Sequence, residues 1–197
     1  MKRFHHGTNI VINSIDLGKS RSRTDFGKGF YIGNNLGEAR KWAISQSMAT
    51  EIPTVMRYVL SDVIFNFNDS CLSRLWFTSP TVEWLNFVRD NRRMIVSNAR
   101  NIEPRHDYDV VYGPIANDKV VDVVDEYIDG VLTAEEAIRR VKVIPSVFQM
   151  SLHTPLALTY IDQTLTEYHR NVWAFRFLLL LCHNIAIMQH TFRQVEN

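Results

Sequence analysis

The chain has 197 residues, 46% of them apolar and 22% charged, and a net charge of +1. That is one ordinary domain with a real core, and it excludes a disordered tail or a uniformly basic nucleic-acid binder. The balance hides an asymmetry: residues 1–42 hold eight Lys/Arg against three Asp/Glu, and residues 103–136 hold two against ten. The two cysteines, Cys71 and Cys182, form neither a disulfide framework nor a metal spacing, and the start "MKRFHHGTN" lacks the apolar core of a signal peptide. A cytoplasmic protein is expected.

In chain order, β-branched and aromatic clusters predict strands at Arg3–His6, Gly29–Gly33, Thr54–Leu60, Val63–Phe67, Tyr108–Tyr112 and Val147–His153. Helices carry clearer start signals. Asn35 caps a segment Leu36–Ala49, Ser79-Pro80 opens one through about Asn91, and Thr133 with Glu136 has capping-box spacing. The acidic run "NDKVVDVVDEYIDG" reads as a solvated helix face, since its carboxylates miss the offsets of a calcium loop. The order is α+β, without a Rossmann or P-loop signature.

Beyond Tyr168, His169, Arg176, His183 and His190 recur every seven residues on a largely apolar segment. Residues 1–168 are therefore expected to form the main domain and 169–197 a C-terminal helical extension. Arg176, His183 and Asn184 interrupt the apolar run, so no membrane span is expected there. The helix either packs across the domain or meets a partner, including a second copy of the chain.

Alternation supplies the first chemistry. In "VFQMSLH", Phe148, Met150 and Leu152 fall on one face and Gln149, Ser151 and His153 on the other. In "GFYIG", Tyr31 points opposite to Phe30 and Ile32, between glycines that clear space for a flat ligand. No metal is expected, because His5-His6 and His153 lack ligand spacing.

The blocks "HHGT", "DFGKGFYIGNNLGEARKWA", "YDVVYGP" and "VFQMSLHTPLALTYI", in that order over about residues 3–161, resemble an uncharacterised bacterial family grouped with the ADP-ribosyltransferases, in the branch with a His-Tyr-acidic motif. The resemblance implies a split core of two small antiparallel-rich sheets flanked by helices, and a bound NAD as co-substrate. It implies His6, Tyr31 and Gln149 as the catalytic trio. Gly7 and Thr8 then belong to the cofactor site, Tyr31 and Trp42 stack on the nicotinamide ring, and Arg21, Arg23 and Lys28 meet the pyrophosphate. His6, Tyr31 and Trp42 are expected to share the binding face.

Gln149 departs from the acidic residue of the branch. A neutral amide keeps hydrogen-bonding capacity but is no general base, which favours single-unit transfer or NAD hydrolysis over chain extension. On residue type alone, Gln149→Glu is expected to preserve or raise hydrolysis, and the carboxylates of Asp118–Glu126 are the other source of an acid. The implied activity is a mono-ADP-ribosyltransferase, the toxin of a toxin–antitoxin pair, with a protein acceptor favoured over nucleic acid and a small antitoxin as partner. The alternatives are a catalytically inactive NAD- or ADP-ribose-binding module and an interaction protein acting through its C-terminal helix.

Overall fold

The computed structural model describes residues 2–22, 24–48, 50–92, 106–115, 118–142 and 147–169. They form an α+β fold around seven strands: β1 (Lys2–Thr8), β2 (Phe30–Gly33), β3 (Thr54–Leu60), β4 (Arg74–Trp76), β5 (Val110–Pro114), β6 (Phe148–Leu152) and β7 (Ile161–His169). The helices among the described residues are α1 (Leu36–Gln46), α2 (Val82–Arg92), α3 (Asp118–Ile128), α4 (Ala134–Lys142) and the single turn α5 (Pro155–Leu158).

The strands join in the order β4-β5-β6-β2-β1-β3-β7, all antiparallel except the β4–β5 pair. The joint in the middle is narrow. β1 pairs with β3 along its whole length, from Lys2↔Leu60 to Thr8↔Thr54, yet meets β2 only at His5↔Gly33. Four strands thus lie on one side of a one-pair seam and three on the other.

Burial follows the alternation. Phe4, Phe30, Ile32, Met56, Tyr58, Met150 and Leu152 build the core on one face, where α5 adds Ala157. On the opposite face α2, α3 and α4 bring Trp84, Leu85, Val88, Val124, Ala137 and Ile138 over Val111 and Phe26. The acidic helix α3 is therefore solvated on one side only: Val120 and Val124 are buried. Its neighbour α4 starts as its capping box requires, with Glu136 N donating to Thr133 Oγ1 at 3.2 Å. Helix α1 begins at its Asn35 cap, packs Ala39 and Ala43 on Val55 of β3, and ends earlier than expected, at Gln46.

Three segments differ from the sequence reading. Val63–Phe67 is no strand: Asp62–Phe65 is a 3₁₀ turn capped by Ser61. The Arg74 guanidinium takes the carbonyls of Val63, Ile64, Asp69 and Leu72, which occupies two acceptors of that segment. Strand β4 has three residues, too few to show a period. Strand β7 is polar and mostly exposed, and it follows β3 through two register shifts, as befits an edge strand. The expected C-terminal helix lies outside the described residues apart from His169, the last residue of β7. Among the described residues no helix is long and apolar enough to cross a membrane.

Candidate functional site

The turn before β2 organises the site. Gly27 has φ +82°, which a side chain tolerates poorly, and a Cβ there would stand 2.7 Å from Asn91 Oδ1. That conformation folds residues 24–27 back over the Tyr31 phenol. Phe26 N donates to Tyr31 Oη at 2.9 Å, Tyr31 Oη donates to Gly27 O at 2.7 Å, and Thr24 Oγ1 lies 2.8 Å away. Phe26 also stacks on the Tyr31 ring at 6.2 Å. Burial, aided by the nearby Asp25 charge, pushes the phenol well above its ordinary pKa, whereas the Thr24 hydrogen bond acts the other way. Tyr31 is thus an anchor for the turn rather than a ring left open between glycines.

The flanking glycines serve different neighbours. A Cβ on Gly29 would stand 2.7 Å from His153 Nδ1, so its missing side chain makes room for that imidazole. Above Gly33 a Cβ would meet only Phe148 O, at 3.7 Å. The open position in this row is therefore Gly33, which pairs with His5 on β1 and Gln149 on β6.

Gln149 points to the same side as Ser151 and His153, as the alternation requires; that side is covered at Ser151, which is fully buried, and Gln149 beside Gly33 is half-buried. Gln149 Nε2 donates to Asp25 Oδ2 at 3.0 Å. Asp25, itself only 6% exposed, also accepts from Arg92 Nε at 3.0 Å and Nη2 at 2.6 Å. Arg92 Nη1 reaches Asp125 Oδ1 at 3.5 Å, which ties one carboxylate of the acidic helix to the cluster.

Two histidines hold the turn from beneath. His106 Nε2 donates to Phe26 O at 2.9 Å while its Nδ1 accepts from Tyr108 N at 3.2 Å. His153 Nδ1 donates to Lys28 O at 2.8 Å and its Nε2 meets the Ser151 hydroxyl. Burial holds both imidazoles below their ordinary pKa, His153 down to about 4, so both are neutral at pH 7.

His6 enters from the other side. It shares the Phe4 face of β1 and packs on the Phe30 ring at 4.8 Å, and it reaches Tyr31 through the backbone, with Nδ1 donating to Tyr31 O at 2.6 Å. The imidazole thus bridges β1 and β2 where ladder pairing has stopped. Burial lowers its pKa, and the Nδ1 proton leaves Nε2 as an acceptor.

His6, Tyr31 and Gln149 therefore lie on three neighbouring strands, with the His6 side chain on the opposite face from Tyr31 and Gln149, and the expected face shared by His6, Tyr31 and Trp42 is not formed. Trp42 is 50% exposed on α1, where the Arg21 guanidinium lies 5.8 Å from its ring and donates to Gln46 Oε1 at 2.5 Å. Among the described residues neither makes a hydrogen bond or ring contact with Tyr31 or Gln149. Thr8 is buried, its Oγ1 accepting from Ile10 N at 3.3 Å; Lys28 is half-buried; and Arg23 lies outside the described residues. Gly7 is packed beneath α1. Beside the seam, His5 Nε2 contacts Glu167 Oε2 at 2.9 Å, and Glu167 Oε1 lies 3.9 Å from Arg57 Nη1. Among the described residues no three His, Cys, Asp or Glu side chains are grouped to hold a metal ion.

The sequence reading missed Asp25, Arg92 and His106. Asp25 stood in the quoted block "DFGKGFYIG", and its position between two motif residues was the available signal.

Tyr31→Phe tests the anchor. It leaves the Phe26 amide without its acceptor and should lower stability by about 1–3 kcal/mol in denaturant melts. An unchanged midpoint would show that water replaces the hydroxyl.

The family model described as "Protein of unknown function (DUF3990)" matches residues 2–163, and the chain belongs to that family. No curated protein matches, and no solved structure does.

Proposed function

We propose that this chain is a cytoplasmic NAD-dependent mono-ADP-ribosyltransferase with a split, ADP-ribosyltransferase-like core, acting on a protein acceptor as the toxin of a toxin–antitoxin pair. One observation carries the reading: the His, Tyr and Gln of three motifs far apart in sequence lie on adjacent strands β1, β2 and β6, around the one-pair seam between two half-sheets. The single His5↔Gly33 pair is the feature that fits a split core.

In this reaction the bond between ribose C1′ and the nicotinamide nitrogen breaks, and the bonding pair leaves with nicotinamide as a neutral base. The acceptor's lone pair forms the new bond to C1′ and its proton passes to solvent. The transition state resembles an oxocarbenium ion, as in glycoside cleavage. Gln149 beside the Gly33 opening offers its amide oxygen to a ribose hydroxyl, while His6, on the opposite face, holds the Tyr31 carbonyl and with it the junction of β1 and β2. The Asp25 carboxylate supplies the negative charge that Gln149 lacks.

Titration with NAD and assay of nicotinamide release test the reading together. Binding with release is expected, and a labelled lysate protein identifies the acceptor. A folded protein that binds no NAD overturns it. A second reading, an NAD- or ADP-ribose-binding module without transfer, is favoured by the hold of the 24–27 turn on both Tyr31 and Gln149. It gives binding with no release.

A further inference from the structure

We propose that Asp25 is a positioning residue of this site: it holds the Gln149 amide by its Nε2 end and so fixes Oε1 as the acceptor for a ribose hydroxyl of the bound dinucleotide. The inference rests on the NAD reading and names what makes a glutamine serviceable at the third position.

A glutamine side chain has a donor end and an acceptor end of nearly equal shape, and only its surroundings decide which end faces a ligand. At 3.0 Å from Gln149 stands a carboxylate, which when ionised only accepts. The reversed amide would place two oxygens against each other, so Nε2 must face Asp25 and Oε1 is the end left to accept.

Asp25 is in turn fixed. Arg92 grips its Oδ1 through two nitrogens, and the backbone of the next residue, Phe26, is tied at its N by Tyr31 Oη and at its O by His106. One carboxylate oxygen meets the amide and the other is held by a guanidinium fork from α2, which is the arrangement that orients a group rather than one that merely neutralises it. The charge one hydrogen bond away also polarises the amide toward an electron-rich Oε1, the polarity a developing ribosyl cation requires.

The pair also reverses the expectation for Gln149→Glu. A glutamate there would face Asp25 across the same gap, carboxylate against carboxylate, with Arg92 already engaged. Two such groups share a proton rather than both ionising. The exchanged pair, Asp25→Asn with Gln149→Glu, restores a donor facing an acceptor with the acid moved into the third position.

Four proteins decide the matter: wild type, Asp25→Asn, Gln149→Glu and the double variant, each assayed for nicotinamide release, NAD affinity and melting temperature. Asp25→Asn should lower turnover by about tenfold or more while NAD affinity changes by less than about threefold, since the interaction strengthens only in the transition state. Gln149→Glu should also lose turnover, and the double variant should recover most of that loss. Wild-type turnover in Asp25→Asn, or a double variant no better than Gln149→Glu, overturns the proposal while the NAD reading stands. So does a loss of turnover matched by equal losses of affinity and fold. Wild type that neither binds NAD nor releases nicotinamide overturns both.

Discussion

Gly7→Ala should destabilise the protein by about 3 kcal/mol or more, enough to abolish soluble folded material in many small domains. A Cβ at Gly7 would stand 2.1 Å from Ala39 O and 2.8 Å from Ala43 N, and both atoms belong to the backbone of α1. A flexible side chain could turn aside; a helix backbone has to move as a body. Ala43 is fully buried and Val55, the cross-strand partner of Gly7, is fully buried beneath the same helix, so that displacement opens a packed interface. The small residues Gly7, Ala39 and Ala43 thus set the distance at which α1 crosses β1. Gly7→Ala with a melting temperature within a few degrees of wild type would show that α1 shifts at little cost. The same packing accounts for the glycine after His6 whether or not its backbone also meets a ligand.

Legibility in the sequence follows the range of the interaction. Phe30, Ile32, Met150 and Leu152 repeat at period two and face the core, so β2 and β6 could be read locally, and the Asn35 and Thr133 caps marked two helix starts. Val63–Phe67 has the composition of a strand, but two of its carbonyls, those of Val63 and Ile64, are taken by Arg74, a residue outside the segment. Strand β7, with Asp162, Gln163, Thr164 and Glu167, has no apolar period because it lies on the edge of the sheet. At the site, the strand positions of His6, Tyr31 and Gln149 followed from motif order. The Asp25–Gln149 bond did not, since it joins residues 124 positions apart through a turn whose geometry depends on Gly27. Trp42 shows the converse: helical spacing after Tyr31 says nothing of the angle at which α1 leaves β2, and the ring ends in solvent beside Arg21.

Acid should weaken the fold more steeply than surface carboxylates alone would, and His153 is the main cause. Its ordinary pKa of 6.5 falls to about 4, first through burial and then through the neighbouring His106, whereas the Lys28 carbonyl and Asp109 act the other way. Below pH 6.5 the unfolded chain therefore takes up a proton that the folded chain refuses, so stability is complete above that pH and is lost as pH falls toward 4. A shift of that size corresponds to about 3 kcal/mol at its limit. His6 and His106, both lowered by burial, add losses of the same sign. The cost has a structural meaning: a proton on Nε2 removes the acceptor that the Ser151 hydroxyl faces and sets a cation edge-on against the His106 ring, 4.6 Å away. Because His153 and His106 hold Lys28 O and Phe26 O, the first part to loosen should be the turn that carries Asp25. His153→Asn keeps a donor near the Nδ1 position and removes the titrating group. It should be less stable than wild type at pH 7.5 but lose less between pH 6.5 and 4.5, read from denaturant midpoints across that range. An equal pH slope in the two proteins would assign the acid sensitivity to other groups.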